Sequence, residues 1–487
     1  MSVRKISLVW LRNDLRLHDH MAIVQAMKSK NDIMLVYCFD YSHFKKSNWP
    51  HSTRRMSGNR IRFLLESLED LSNRIPLCYV KGNPPDALET FINTVEHEKN
   101  VSINQIFVHG EVGSQESNTE KNVSKIFKKK QRKFNVIPWG SVLHHPDDIK
   151  DHKMDLDRKT LQSFMNYRNK GINKFNIPVR EHNVINPSDI PIFSIKDTHP
   201  EYYSLPSIKD LWELGEDSEE LYLPKETIYH GGETKGIERV KHYIGNNDLI
   251  HNYKETRNGL LGNDYSSKFS PWMNLGCISP IFIHNEMMKL SKSSDSSDWL
   301  IVEMMFRDYF LFHHNLYGDK YFYLSGVRMG QGMPSDDYWN EDVDKFNAWK
   351  EGRTGVPFID ANMRELKETG FMSNRGRQCV ASFLAHDLKV DWRWGAAYFE
   401  RELLDHQVSS NYGNWIYIAN QRYFNTLKQC KVYDSKGEYI AHWFPKLKEI
   451  SDPTYRFQPY RIRKSIADSL NINVIKKFTE CNPNEMY

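Results

Sequence analysis

Hydrophobic and polar positions follow two different periods before residue 140. Short runs of apolar and β-branched residues alternate with longer stretches in which apolar residues recur every three or four positions. The first pattern is typical of buried strands and the second of amphipathic helices. Five strands are predicted, over Ile6–Trp10, Ile33–Phe39, Leu77–Val80, Ile106–His109 and Val136–Trp139. Four helices are predicted between them, over Ile23–Lys28, Ser57–Asn73, Pro85–His97 and Thr119–Lys130.

This alternation predicts a parallel, doubly wound sheet in an α/β domain spanning residues 1–140. The first strand is followed by Leu11-Arg-Asn-Asp-Leu-Arg16, which lacks the G-x-G-x-x-G pattern of a dinucleotide cradle. The sequence therefore argues against a standard dinucleotide site in this domain.

The pattern changes after this domain. Residues 141–205 are rich in Pro, Asn, Asp and His, which predicts a long linker over a surface. Residues 206–487 carry almost no strand signal and predict an all-α domain. Its helices are predicted over Glu233–Gly245, Ile281–Leu290, Trp299–Tyr317, Val343–Glu351, Asp360–Thr369, Arg375–Lys389 and Ala396–Asp405.

Composition is that of a soluble globular protein of two or three domains. The 487 residues are 39% hydrophobic and 26% charged, and no run approaches the roughly 18 apolar residues of a membrane helix. The chain enters its first strand almost at once, leaving no room for a signal peptide. We expect a soluble intracellular protein, cytoplasmic or DNA-associated, with no targeting segment and no membrane contact.

Charge and cysteine content narrow the chemistry further. The net charge is only +4, so any nucleic-acid contact must come from a local basic patch. Six scattered cysteines indicate a reduced compartment and offer no zinc or iron–sulfur spacing, so no metal site is expected.

Three segments of the helical region carry unusual polar residues. Glu303 and Arg307 lie one turn apart in a helix that is apolar nearly all round, as a structural ion pair or as part of a site. Residues 370–378 place two arginines, an asparagine and a glutamine at a helix start, which suits a phosphate, a polar heterocycle or a surface turn. Asp405 adds an acid, and residues 410–415 add an amide and an aromatic residue beside a glycine that is expected to bend the chain. Together these groups suggest the edge of a cofactor that is recognised by hydrogen bonds.

The order of these motifs resembles the photolyase/cryptochrome superfamily from Val9 to about Leu447. The matching segments are WLRNDLRLHDH (10–20), ETRNGLLGNDYSSKFSPWMNLGCISP (255–280), EMMFRDYF (303–310), GRTGVPFIDANMRELKETGFMSNRGRQ (352–378) and HDLKVDWRWGAAYFERELLDHQVSSNYGNW (386–415). Within them, TGVPFIDANMREL, FMSNRGRQ and SNYGNW resemble the DASH branch of cryptochromes.

The resemblance implies an N-terminal antenna domain and a helical domain that holds U-shaped FAD. The implied diphosphate-binding residues are Tyr253, Ser266, Ser267 and Ser270. Beside the flavin ring the resemblance implies Arg377 paired with Asp405, Asn411 at the central nitrogen, and Gln407. Further cofactor contacts are implied for Arg307 and Asn374, of which Asn374 would touch the dimer or the adenine of FAD. It also places Glu111 where some members hold a folate antenna, 5,10-methenyltetrahydrofolate, although an ordinary acidic loop residue is the alternative.

The same alignment implies an electron relay and a lesion pocket. Trp415, Trp392 and Trp339 match the three tryptophans that pass electrons to the photoexcited flavin, although each could equally be a core residue. The implied contacts to a pyrimidine dimer are Glu303, Phe306, Gln378, Tyr417 and Arg375. Further candidates for a basic rim are Arg257, Arg328 and Lys428, each of which could also be an ordinary surface charge.

Three departures from the family bear on the lesion pocket. Phe306 replaces a tryptophan, and Gln407 replaces an acid near the flavin ring, which removes a fixed negative charge. Between Trp415 and the Arg422-Tyr-Phe424 triplet, the chain lacks a glycine-rich insertion of the DASH relatives.

The sequence thus predicts a monomeric, light-driven lyase that repairs cyclobutane pyrimidine dimers, preferentially in single-stranded DNA. A blue-light photoreceptor is the alternative, and a flavoprotein that only binds nucleic acid is a third possibility. Glu303 and a stretch of only about 40 residues after Leu447 favour repair, whereas Phe306 and the shortened loop favour the alternatives.

Overall fold

The computed structural model describes residues 3–47, 53–216, 218–246, 249–290, 293–328, 332–420 and 422–469. Its N-terminal region contains a five-stranded parallel sheet with the strand order β3-β2-β1-β4-β5. The strands are β1 (Arg4–Leu11), β2 (Asp32–Asp40), β3 (Leu77–Gly82), β4 (Val101–His109) and β5 (Lys133–Ile137). All four strand pairings are parallel, which confirms the predicted doubly wound α/β fold.

Strand β1 lies at the centre of the sheet and is buried on both faces. Ile6, Leu8 and Trp10 pack into one hydrophobic cluster, whereas Val9 and Leu11 point to the other face and join the main core. The chain order reverses between β1 and β4, so a crevice is expected beyond the carboxyl ends of these two strands.

Four helices cover the sheet, close to the predicted positions. They are α1 (Met21–Lys28), α2 (Gly58–Ser72), α3 (Pro84–Lys99) and α4 (Ser114–Lys129). Helix α2 begins where the Ser57 hydroxyl accepts the Arg60 amide, a hydroxyl N-cap.

The segment predicted as a linker is anchored more firmly than a surface crossing. It contains α5 (Pro146–Asp151), α6 (Asn173–Phe175) and a π-helical turn over Asn166–Ile172. The Ile33 amide donates to the Pro191 carbonyl at 2.7 Å, and the Phe193 amide donates to the Ile33 carbonyl at 2.8 Å. Tyr167 is fully buried. The sequence understated this anchoring because the segment's isolated apolar residues follow no regular period.

The remaining described region is helical. Its α-helices are α7 (Ile208–Glu213), α8 (Glu233–Val240), α9 (Tyr253–Thr256), α10 (Ser270–Asn274), α11 (Pro280–Met288), α12 (Asp295–Tyr317), α13 (Val343–Lys350), α14 (Pro357–Thr369), α15 (Asn374–Ser382), α16 (Trp392–Glu402), α17 (Val408–Ala419), α18 (Thr426–Tyr433), α19 (Glu438–Trp443), α20 (Pro453–Phe457) and α21 (Lys464–Ser469). Helices α8 and α15 continue as π-helical turns over Lys241–Asn246 and Phe383–Asp387. Short 3₁₀ helices lie at Tyr41–His43, Thr160–Gln162, Pro187–Asp189, Pro200–Tyr203, Leu249–Asn252, Gly318–Phe322, Asp336–Tyr338, Pro445–Glu449 and Pro459–Arg461.

Buried polar contacts join the sheet to the helical region. The Arg16 guanidinium is fully buried and donates to the carbonyls of Gly276, Gly140 and Asp19. Gly276 has φ of +66°, and a side chain there would meet the Asn13 carbonyl at 2.2 Å. A glycine is therefore required where the two regions approach most closely.

Two sequence-level expectations concern thiols and membranes. Among the described residues, five of the six cysteines are buried free thiols, and Cys481 lies outside the described ranges. None of the helices in those ranges combines the length and apolarity that a bilayer crossing requires.

Candidate functional site

A loop over residues 262–270 carries the hydroxyl groups predicted to face a diphosphate. Arg239 of α8 holds this loop from behind, donating to the carbonyls of Ser266 at 3.0 Å and Ser267 at 2.9 Å. A third bond, 2.7 Å long, joins Arg239 to the Asp264 carboxylate. Arg239 thus fixes the loop backbone, a positioning role that the sequence did not reveal because its partners lie 25 to 28 residues further along the chain.

Lys268 lies in the same loop and was also missed. It has φ of +52°, and its ammonium donates to the Gly262 carbonyl at 2.8 Å. Burial lowers the Lys268 pKa to about 8, and the charge of Arg239 adds to the shift. Two neighbouring cations that disfavour each other in a buried loop would be stabilised by an anion such as a diphosphate.

The structure joins Arg377, Asp405 and Ser270 in one network. Arg377 of α15 makes a bidentate ion pair with Asp405, with N–O distances of 2.8 and 3.0 Å. The Ser270 hydroxyl donates to the same carboxylate at 2.6 Å, so Ser270 faces Asp405 as well as the loop. The bidentate geometry fixes the orientation of both side chains, as the rigid lining of a cofactor-binding site requires.

The other residues predicted to contact the cofactor differ in burial and in hydrogen bonding. Asn411 is buried and donates to the Ala396 carbonyl at 2.9 Å, while Gln407 accepts the Ser410 hydroxyl at 2.6 Å. Asn374 is exposed at the start of α15. The Gln378 Oε1 is buried and has no hydrogen-bond partner in the described part of the chain, which leaves it available to a bound group.

Glu303 is bound by two residues, neither of which is Arg307. Arg257 forms an ion pair with Glu303 Oε1, and the Trp299 indole donates to the same oxygen at 2.9 Å. The carboxyl side chain remains 30% exposed, so a ligand could reach it. Burial raises the Glu303 pKa above its ordinary value, opposed by Arg257 and by the Trp299 bond. The nearby Tyr253 is buried, and burial followed by the Glu303 charge raises its pKa.

Arg307 does not pair with Glu303, so the alternative of a structural ion pair along the helix is wrong. Its guanidinium donates instead to the Ser141 carbonyl and, at 3.2 Å, to the Ser141 hydroxyl. A weaker bond of 3.4 Å reaches the Met273 carbonyl. Arg307 thus ties α12 to the linker.

Phe306 and Tyr417 are aromatic candidates for stacking on a lesion. The Phe306 ring stacks on Phe164 of the linker with a centroid distance of 3.4 Å, so one of its faces is already covered. Tyr417 is half-buried, and the Arg422 guanidinium lies 4.7 Å from its ring.

The candidate basic rim contains both free and bound side chains. Arg328 and Lys428 are exposed. Arg375 is bound to Gln429 at 3.1 Å and to Asn258 at 3.2 Å, and it also lies 4.3 Å from the ring of Tyr433. Arg375 therefore has to leave partners before it could contact DNA.

The three tryptophans predicted to relay electrons lie in or next to α16 and α17. Trp415 and Trp392 are almost fully buried, whereas Trp339 is only partly buried. Trp415 rests on Gly395, one turn beyond Trp392, where an added Cβ would lie 2.2 Å from the indole Cη2. Backbone bonds of Asn340 to Lys389 and Asp391 hold the segment that carries Trp339 next to the start of α16. Burial thus decreases from Trp415 and Trp392 towards Trp339.

A cleft lies at the carboxyl ends of β1 and β4, where the topology predicts one. Its volume is about 170 Å³, and Leu11–Asp14, His109–Gly113 and His406–Ser409 line it. Glu111 faces this cleft and accepts the Asn13 amide at 2.8 Å, with Arg12 at 3.4 Å.

Asp14, His20 and His109 form a buried cluster behind this cleft, with ligand atoms within 4.8 Å of one another. His109 Nδ1 bonds Asp14 Oδ2 at 2.7 Å, and His20 Nε2 lies 3.2 Å from the same oxygen. His20 Nδ1 accepts the Ile23 amide, so its proton is on Nε2, facing Asp14. Although burial opposes ionisation, the two histidines hold the Asp14 pKa well below its ordinary value. Within the described residues, His109 Nδ1 thus bonds Asp14 directly, whereas His20 Nε2 and His109 Nε2 have no hydrogen-bond partner.

Two family models match this chain, one over the α/β region and one over the helical region. Residues 7–181 match the DNA photolyase family, and residues 299–482 match the FAD binding domain of DNA photolyase. Residues 299–482 therefore belong to a family of FAD-binding domains, which supports FAD as the cofactor.

Whole-chain comparisons give the same result. The chain is 38% identical to cryptochrome DASH of Synechocystis sp., covering 91% of this chain and 88% of the relative. It is also 38% identical to cryptochrome DASH of Danio rerio, over 92% and 85% respectively. The crystal structure of the Synechocystis sp. PCC6803 cryptochrome superposes with a TM-score of 0.84 at 35% identity, covering 97% of this chain and 95% of that one. The chain belongs to the photolyase/cryptochrome family, which confirms the resemblance seen in its motifs.

Proposed function

We propose that this protein uses blue light to repair cyclobutane pyrimidine dimers in DNA, preferentially in single strands. The observation that carries the proposal is Glu303, a partly exposed carboxyl bound by Arg257 and Trp299 whose pKa is raised by burial, near Tyr253, which the resemblance assigns to the cofactor. In its protonated form, Glu303 can donate a hydrogen bond to a pyrimidine carbonyl and stabilise negative charge that develops there.

The residues present fit FAD. Ser266, Ser267 and Lys268 would hold the diphosphate, with Arg239 fixing their backbone, because hydroxyls and a buried ammonium suit anionic oxygens. Arg377 with Asp405 and the amide groups of Asn411 and Gln378 would border the ring system. Bound FAD would supply the light absorption and the redox chemistry of the reaction.

Glu303 must exchange partners to contact a lesion. Its Oε1 is shared by Arg257 and Trp299, so substrate binding would release one of these contacts. Protonation of the carboxyl weakens its attraction to Arg257, which leaves that guanidinium free to contact a DNA phosphate. The same proton provides the donor that the pyrimidine carbonyl needs.

The lesion has to leave the base stack to reach Glu303. Extrusion costs least for a damaged base in a single strand, which supports the proposed substrate preference. Arg328 and Lys428 are exposed and would contact the phosphates, while Tyr417 and the open face of Phe306 would stack on the bases.

The cleft beside Glu111 is proposed as the antenna site, with a folate as its occupant. It lies at the carboxyl edge of the sheet, where doubly wound folds bind ligands. Reconstitution with 5,10-methenyltetrahydrofolate should add a near-ultraviolet absorption band to the wild-type protein, and Glu111→Ala should lose it. Retention of the band by this variant would exclude Glu111 as the anchor.

The repair reaction is tested directly. The reduced, FAD-loaded protein is incubated with thymine-dimer oligonucleotides, single- and double-stranded, under blue light and in darkness. We expect light-dependent loss of dimers, faster in single strands. Persistence of dimers in both substrates under light would refute repair, and flavin photoreduction without repair would indicate a photoreceptor.

Variants of α12 test the role of Glu303. Glu303→Ala should lower repair by about 100-fold, the effect of losing one such donor, with FAD still bound. Asp298→Ala is the matched control, since Asp298 is an exposed carboxylate in the first turn of the same helix. Because Glu303→Gln keeps a donor at every pH, its repair should depend less on pH than that of the wild type. Equal repair by the alanine variant would refute the assignment.

A further inference from the structure

The partly exposed end of the tryptophan series touches another redox-active side chain. The Tyr338 ring packs edge-on against Trp339, with a centroid distance of 5.0 Å and an interplanar angle of 84°. Both side chains are half-buried in the 3₁₀ turn and the extended residue that follows it. A phenol at this distance is close enough to give an electron to an oxidised indole.

The Tyr338 hydroxyl faces an imidazole whose neutral tautomer is fixed by the fold. His386 Nε2 lies 2.9 Å from the Ile418 carbonyl, and a carbonyl can only accept, so this nitrogen carries a proton. In the neutral ring, Nδ1 is therefore an acceptor. It lies 3.3 Å from the Tyr338 hydroxyl, at the edge of the range in which a proton can transfer.

The surrounding charges favour proton loss when Tyr338 is oxidised. Burial, with a contribution from Asp387, raises the Tyr338 pKa, so the phenol is protonated before oxidation. The Lys389 ammonium lies 5.1 Å from the ring centroid and disfavours a second positive charge on the ring. The other tyrosine beside His386 is Tyr423, whose hydroxyl bonds Asp387 at 3.3 Å. Its ring centroid lies 6.3 Å from His386.

We propose that Tyr338 is the terminal electron donor of this protein and that His386 takes its proton. In this step Tyr338 loses one electron to the Trp339 radical cation and its phenolic proton to His386 Nδ1. The indole returns to its closed-shell neutral form, and a neutral tyrosyl radical and an imidazolium cation remain. The inference rests on the proposed relay, which delivers the positive hole to Trp339.

Proton transfer gives this step a functional consequence. Return of the electron to Tyr338 would require the proton to return as well, so charge recombination becomes slower than from a bare tryptophan radical. Both products lie near the surface, where an external reductant can reach the half-buried tyrosine. Tyr338 and His386 would thus set how long light-driven charge separation lasts.

Flash spectroscopy of the FAD-loaded, oxidised full chain tests the inference. We expect a tyrosyl radical, seen by its sharp absorption and by electron paramagnetic resonance, to appear as the tryptophan radical decays. In Tyr338→Phe the tyrosyl signal should vanish, and charge recombination should be about tenfold faster, as for a barrier lower by about 1.4 kcal/mol. His386→Gln, which keeps an acceptor but removes the base, should lower the tyrosyl yield.

Tyr423→Phe is the matched control, because Tyr423 is a second tyrosine beside His386 without a ring contact to Trp339 in the described contacts. It should leave the radical signal unchanged. A tryptophan radical that decays without any tyrosyl signal in the wild type would overturn the inference and leave the relay intact. Loss of the tyrosyl signal in Tyr423→Phe but not in Tyr338→Phe would also overturn the inference. Absence of both radicals would overturn the relay and this inference together.

Discussion

Gly395 offers the sharpest test of how the interior around Trp415 is packed. A Cβ atom at this position would lie 2.2 Å from Cη2 of Trp415 and 2.6 Å from Cδ2 of Leu384. Ordinary contacts of a Cβ begin at 3.4 Å, so Gly395→Ala needs a displacement of about 1 Å. Trp415 and Leu384 are both buried, and neither can move into solvent.

Two opposing effects set the magnitude. Alanine is favoured over glycine inside a helix by about 1 kcal/mol. Overpacking of a filled core costs about 1–3 kcal/mol, and here the clashing atoms belong to a rigid indole with neighbours on several sides. We therefore expect Gly395→Ala to lower the free energy of unfolding by up to about 2 kcal/mol. Because the displaced ring is the proposed first electron donor, flavin photoreduction should also slow.

The assay follows flavin release during chemical unfolding, together with the photoreduction rate in blue light. Gly245→Ala is the matched control, because Gly245 also lies in a helical turn but has nothing within 4 Å of an added Cβ. The control should be at least as stable as the wild type and should photoreduce at the same rate. If Gly395→Ala matched this control in both measurements, the packing of Trp415 on α16 would be refuted.

Three further predictions concern the cofactor site. Asp405→Asn leaves the Arg377 guanidinium without its carboxylate and should cost about 3 kcal/mol of stability, measured by denaturant unfolding. Arg239→Met should weaken FAD binding by about tenfold, or about 1.4 kcal/mol, in a titration of flavin fluorescence; unchanged affinity would contradict its positioning role. Burial raises the Glu365 pKa from 4.5 to about 7, so the native state holds more protons and stability should fall as pH rises between these values. Glu365→Gln, which can still accept the Tyr439 hydroxyl, should reduce that fall in pH-dependent unfolding experiments.

The α/β fold was predictable because its signals are local. Each strand is a short apolar run, and each helix has one apolar face, so the parallel sheet follows from the residues alone. Helix α17 was missed because Gly413 in residues 410–415 suggested a bend. The structure shows a different reason for this glycine, since a Cβ there would lie 2.3 Å from Cδ1 of Phe310. Close packing on α12, rather than a turn, requires it.

The candidate site was predictable only where motifs carry it. Arg377 and Asp405 were identified from the resemblance, and the structure brings them together. Helical spacing offered Arg307 as the ion-pair partner of Glu303 in one of two alternatives, whereas the ion pair is made with Arg257, 46 residues earlier. Spacing along one helix cannot show that a second element, α9, packs across α12 and supplies a closer cation.

The residues proposed for electron supply and those proposed for lesion binding lie in separate parts of this structure. The proposed path would run through Trp415 of α17, Trp392 at the start of α16 and Trp339 directly after the 3₁₀ turn Asp336–Tyr338. Glu303 and Trp299 lie on α12, and Arg257 directly follows α9. A change at Phe306 or in the loop after α17 can therefore alter substrate binding while the buried tryptophans keep their packing. Light-driven flavin reduction is consequently no evidence for repair, and only reactions that depend on Glu303 can distinguish a lyase from a light sensor.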